Sequence, residues 1–210
     1  MCEPNRTLKT GQCNQLWRRL NALALALVVA GCGGAPARAP EETVDPSLAA
    51  EHGLIPTAIG RGPEFHPRAR VPQECAPGPV EGRFRAHIEL FGRRQAVVIP
   101  AGIGLAPPFA REHHRIVGAR CRAEIRTLDP AGVVDFDRTD LRLADLFEIW
   151  GEPLGPRRMA SFAGSVSAFV AGRRVTGDPA RIPLRDGAQI VLQVGGYIPP
   201  HPTFKFPPRG

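Results

Sequence analysis

The chain has 210 residues, enough for one domain with extensions, and 27 basic against 20 acidic side chains give it a formal charge of +7. Aromatic residues make up only 6%, and no clustered basic face with interleaved rings occurs, so the composition argues against a nucleic-acid binder. Arginine so outnumbers lysine, amid 23 glycines and 23 prolines, that the bias reads as a GC-rich genome, and abundant arginine by itself marks no site.

In chain order, the first feature is ALALALVVA at residues 22–30, nine unbroken apolar residues, whereas a membrane-spanning helix needs about 20. Arg18 and Arg19 precede the run and small residues follow it, the charged, apolar and cleavage regions of a secretory signal. Val29-Ala30-Gly31-Cys32 resembles the bacterial lipobox, with Val29 where leucine is usual. The resemblance implies a lipoprotein signal peptide over residues 1–31 and acylation of the Cys32 thiol. It places the chain on the cell membrane, lipid-anchored and facing outside the cytoplasm. At about 0.8 kcal/mol per buried methylene, one acyl chain is a marginal anchor and two or more hold stably. The alternative is a plain secreted protein with a chance cysteine at its cleavage site. Residues 1–31 include Arg6, Lys9, Arg18, Arg19 and Glu3, so the chain beyond them carries +4, suited to anionic headgroups near the anchor.

Cys2 and Cys13 leave with the signal and Cys32 takes the lipid, which leaves Cys75 and Cys121. In an oxidising compartment this pair is expected as a disulfide, since zinc would want four ligands at recognisable spacing. Residues 32–74 are rich in Pro, Gly and Ala, lack an apolar period and read as a tether. One domain is expected over residues 75–206, with a tail at 207–210.

Within that domain RFRAHIELF alternates Phe84, Ala86, Ile88 and Leu90 with Arg85, His87 and Glu89, the period of a half-buried strand. Gly92-Arg93-Arg94 turns the chain and QAVVIP returns it. A second hairpin alternates Ala123, Ile125 and Thr127 with Arg122, Glu124 and Arg126, turns at DPAG and returns through VVDFD. Leu143, Leu146, Phe147 and Trp150 then fall on one helical face, with Asp140 as the expected cap and Gly151 and Pro153 as the stop. SVSAFV, RRVTG and RDGAQIVLQVG supply further strands. Strand pairs, one amphipathic helix and more strands predict an α+β fold with a mainly antiparallel sheet.

This order is similar to a β-grasp domain. Sulfur-carrier members of that class end in Gly-Gly, but here fourteen residues follow Gly195-Gly196, so that role is not carried over. The stretch from Cys75 to about Pro208 also resembles an uncharacterised family of bacterial exported proteins, in AHIELF, VIPAGIGL, LDPAGVVDFD, LFEIWGEPL and TGDPARIPLRDGAQIVLQVG. Relatives in that family carry alternating histidines in the first strand and His-Thr-His in the second hairpin. The matching positions here are Arg83, Arg85 and His87, then Arg126 and Leu128, so no metal site is carried over.

Arg83, Arg85, His87 and Arg126 are instead a candidate cationic patch that would hold a small anion through forked hydrogen bonds. The competing expectation pairs them with Glu89, Glu124 and Asp135 in a solvated lattice of little energetic value, with His87 a surface residue. His113-His114, expected in a loop between hairpins, point apart in any regular structure and need further ligands to hold a metal. Phe147 and Trp150 are expected in the core, and the proline-rich YIPPHPTFKFPP over a sheet edge. No nucleophile elbow, Ser-x-x-Lys, phosphate loop or dinucleotide fingerprint occurs, so no catalytic residue, cofactor or resident metal is expected. The expectation is a membrane-tethered, non-catalytic binding or interaction module for a protein or small anionic ligand. Its rivals are a metal-handling protein using His87, His113, His114 and nearby carboxylates, and a hydrolase with an unrecognised site.

Overall fold

The computed structural model describes residues 57–209. The signal peptide, Cys32 and the tether up to residue 56 lie outside the described residues. Among those described, twelve strands accompany one α-helix, a sheet-rich α+β fold.

The first hairpin joins β1 (Phe84–Gly92) to β2 (Gln95–Val97). Arg93 and Arg94 both sit at positive φ, 50° and 65°, the twist that a two-residue turn needs to match its strands. A hairpin that sequence pattern does not disclose follows, β3 (Leu105–Glu112) with β4 (Arg115–Arg122). Pro107-Pro108 hides it, because prolines within a run count against a strand, and the pairing register shifts across them. His113 and His114 form the turn of this hairpin and do not lie between hairpins.

The second expected hairpin is β5 (Ile125–Thr127) with β6 (Val133–Phe136). Helix α1 (Leu143–Trp150) follows and ends on Gly151 at φ 82°. Its N-cap is Arg142, not Asp140: the Arg142 N–H donates to Asp145 Oδ2 at 2.6 Å, while Asp140 pairs with Arg138. The chain then makes a small meander, β7 (Leu154–Gly155), β8 (Arg158–Met159) and β9 (Phe162–Ala163). It returns through β10 (Val166–Val170), β11 (Arg173–Val175) and β12 (Gln189–Val194).

The main sheet runs β11-β10-β12-β1-β6-β5, with β2 paired to the far end of β1. At its centre β1 and β12 lie parallel, His87 opposite Gln189 and Phe91 opposite Gln193. Ala86, Ile88 and Leu90 of β1 and Ile190, Leu192 and Val194 of β12 face one apolar core, closed by Leu146, Phe147 and Trp150 of α1 and by Phe65 and Phe162. β1 is not the half-buried strand expected from its alternation: from Ala86 on only Glu89 stays partly exposed, because the opposite face is covered as well.

The tether boundary also moves. Residues 57–74 pack on the domain: Phe65 is buried in the core, its C=O accepts the Val98 N–H at 2.9 Å, and Arg68 C=O accepts Trp150 Nε1–H at 3.2 Å. Cys75 and Cys121 form the expected disulfide, which spans 46 residues and joins this approach segment to β4. At the other end, the tail begins no new segment at 207, since residues 197–209 continue as one strap.

Candidate functional site

Alternation in the two central strands places a second set of side chains on the sheet face away from α1. On β1 these are Arg85, His87, Glu89 and Phe91, and on β12 Gln189, Val191 and Gln193. The face is apolar at one end, where Phe91, Val191 and Phe169 cluster with Ile198, and polar through its middle.

The polar groups form a continuous chain. His201 Nδ1 lies 2.9 and 2.8 Å from the two Glu89 carboxylate oxygens, and Gln189 Nε2–H donates to Glu89 Oε2 at 3.0 Å. With its amide nitrogen committed to a carboxylate, Gln189 turns its Oε1 to His87 Nδ1 at 2.6 Å. The other ring nitrogen of His87 lies 2.9 Å from the Ala131 carbonyl oxygen. Both ring nitrogens therefore face oxygen atoms.

Burial is the largest influence on the Glu89 carboxyl and raises its pKa above the ordinary glutamate value, against the opposing hydrogen bond and charge of His201 and the Gln189 amide. His87, Gln189, Gln193 and His201 are all buried. His87 is thus not the surface residue its alternating neighbours predict.

What buries them is the strap, residues 197–209, which crosses the sheet face and not an edge. Phe204 stacks on the His87 ring at 3.7 Å with 6° between planes. Gln193 pairs with the backbone of Ile198 twice, its Nε2–H donating to the C=O at 2.6 Å and its Oε1 accepting the N–H at 3.0 Å. Arg85 Nη1–H donates to Pro207 C=O at 2.9 Å, with its guanidinium 5.5 Å from the Phe206 ring centre.

The four residues of the candidate cationic patch are not brought together as an anion site. Arg83 is exposed beside the Phe84 ring, Arg85 is committed to the strap, and His87 lies beneath it. Arg126 is fully buried and grips Asp137 with two nitrogens, at 2.7 and 3.0 Å, while donating to the carbonyls of Val80 and Glu81. Its alternating position predicts a face but not a role. The role, stapling the segment after Cys75 to β5, depends on residues more than forty positions away.

The solvated ion-pair lattice is not found either. Asp135 stands opposite both Arg85 and Arg126 in register, yet its Oδ1 accepts the Gly82 N–H at 2.8 Å and its buried Oδ2 has no hydrogen-bond partner. Burial dominates and raises its pKa above the ordinary aspartate value, against the Gly82 hydrogen bond and the charges of Arg115, Arg126 and Arg85. Glu124 makes an exposed pair with Arg138. Among the described residues no three His, Cys, Asp or Glu side chains converge as metal ligands would, and His113 and His114 sit apart from His87 at the hairpin tip.

No protein-family model, curated protein or solved structure matches the chain. No helix among the described residues is long and apolar enough to cross a membrane.

Proposed function

We propose that this chain is an exported lipoprotein, acylated at Cys32 and held on the cell membrane facing outside the cytoplasm, whose domain is a non-catalytic binding module. The anchor rests on the charged, apolar and small-residue order of residues 17–32 and on its likeness to a lipobox. The disulfide between Cys75 and Cys121 fits an oxidising compartment.

The observation that carries the binding role is the buried polar row on β1 and β12. A sheet face covered only for stability is filled with apolar side chains, as the opposite face is. Here His87, Gln189 and Gln193 are buried and Glu89 is largely so. The strap bonds Glu89 through His201 and Gln193 through Ile198 and stacks Phe204 on His87, while Gln189 links His87 to Glu89. Polar groups carry such a desolvation cost where orientation and specificity matter. The parallel central pair, flanked by the β1–β2 hairpin and backed by α1, supports assigning the fold to the β-grasp class.

Mass spectrometry of the protein extracted from its native membrane without reductant tests the anchor: a chain beginning at a lipid-modified Cys32 is expected, and an unmodified Cys32 overturns it. Turnover of any member of broad ester and peptide substrate panels would overturn the non-catalytic assignment.

A further inference from the structure

We propose, resting on the binding-module reading, that this sheet face is a recognition groove for an extended proline-rich peptide, and that the chain's own residues 197–208 are its resident occupant. The contacts recur at every third residue. Ile198 enters the apolar end of the face, His201 meets Glu89, Phe204 covers His87, and the Pro207 carbonyl meets Arg85. Between them Pro199, Pro202, Thr203 and Lys205 are exposed, while Pro200 and Phe206 are half-buried.

Three residues per turn is the repeat of a polyproline II helix, and Pro199, Pro200, Pro202, Pro207 and Pro208 hold φ where that helix needs it. Such a helix makes no hydrogen bonds within itself, so its backbone groups are free to bond water or a partner. Gln193 does this at one end, engaging both the N–H and the C=O of Ile198, and Arg85 at the other. Between these anchors, Glu89 selects a hydrogen-bond donor and the flat ring of His87 an aromatic. The ligand class that follows is an extended peptide of the pattern apolar-x-x-His-x-x-Phe-x-x-Pro.

A tethered occupant competes at an effective concentration of about millimolar, so a free peptide gains access once the strap is weakened. The test uses the full acylated chain in detergent and the labelled peptide YIPPHPTFKFPPR, followed by fluorescence anisotropy. Phe204→Ala in the chain is expected to tighten peptide binding about tenfold or more over the parent chain. A permuted peptide of the same composition, with His and Phe out of the three-residue register, is expected not to bind, and adding Gln193→Ala is expected to abolish capture.

Equal binding of native and permuted peptides would overturn the proposal, as would no binding by a Phe204→Ala chain that still unfolds cooperatively. If that variant does not fold, His201→Ala takes its place: tighter capture of the native peptide supports the groove, and no capture overturns it. A parent chain that dimerises on concentration and is returned to monomer by the peptide supports the groove, with a second copy as donor. Failure here leaves the broader reading intact, since that is judged by the lipid on Cys32 and the absence of turnover.

Discussion

At the scale of single residues, two carboxylates only two positions apart behave in opposite ways. Partial burial pushes the Asp137 carboxyl upward, but the hydrogen bond and charge of Arg126, the Arg83 N–H and the charge of Arg122 outweigh it and hold its pKa below the ordinary value. Its contribution to stability is present above the unfolded-state pKa of about 4 and is lost as pH falls through the lower folded value. Asp135 lacks a bonded cation, and its raised pKa reverses the sign. It costs nothing when protonated in both states, begins to cost stability as pH rises past about 4, and costs most above its folded-state value. Asp135→Asn, which keeps the acceptor for Gly82, is therefore expected to match the parent near pH 3 and to exceed it in stability at pH 7. Urea unfolding at a series of pH values checks this, and a constant difference would refute it.

At the scale of elements, the helix and the strap show how far local pattern reaches. The apolar spacing of Leu143, Leu146, Phe147 and Trp150 identifies α1 and its buried face, because that face is a property of consecutive residues. The same pattern misplaces the cap: the N-cap is Arg142, whose N–H is met by Asp145 from inside the first turn, while Asp140 is held by Arg138, and the choice lies in how the chain enters the helix. Asp145→Ala is expected to cost about 1 kcal/mol, and Asp140→Ala to leave the unfolding midpoint unchanged; thermal unfolding of the two variants separates them. The disulfide closes a 46-residue separation, and replacing both Cys75 and Cys121 by serine is expected to cost about 4 kcal/mol on loop-entropy grounds. Denaturant titration under non-reducing conditions measures it.

At the scale of the molecule, the domain starts before the disulfide. Phe65 is 3% exposed and packs on Phe162 with ring centres 4.9 Å apart, so the approach segment is part of the core. Phe65→Ala is expected to destabilise by about 3–5 kcal/mol, the range for a buried phenyl. A chain in which residues 57–74 were only a tether would show no change in denaturant midpoint, which makes this a direct test of the boundary.

By itself the sequence determined what depends on neighbours along the chain: the amphipathic helix α1, the β1–β2 and β5–β6 hairpins and an α+β class. It also singled out Cys75 and Cys121 as a pair. Tertiary structure alone decided the parallel pairing of β1 with β12 across about a hundred residues, the β3–β4 hairpin across its prolines, and the packing of residues 57–74. It also turned His87, Arg85 and Arg126 from an expected surface patch into groups held by three different partners. The reason is physical. Periodicity reports that a strand has two faces, but whether the second face meets water or another segment is set by chain that arrives from elsewhere, here the strap from residues 197–209.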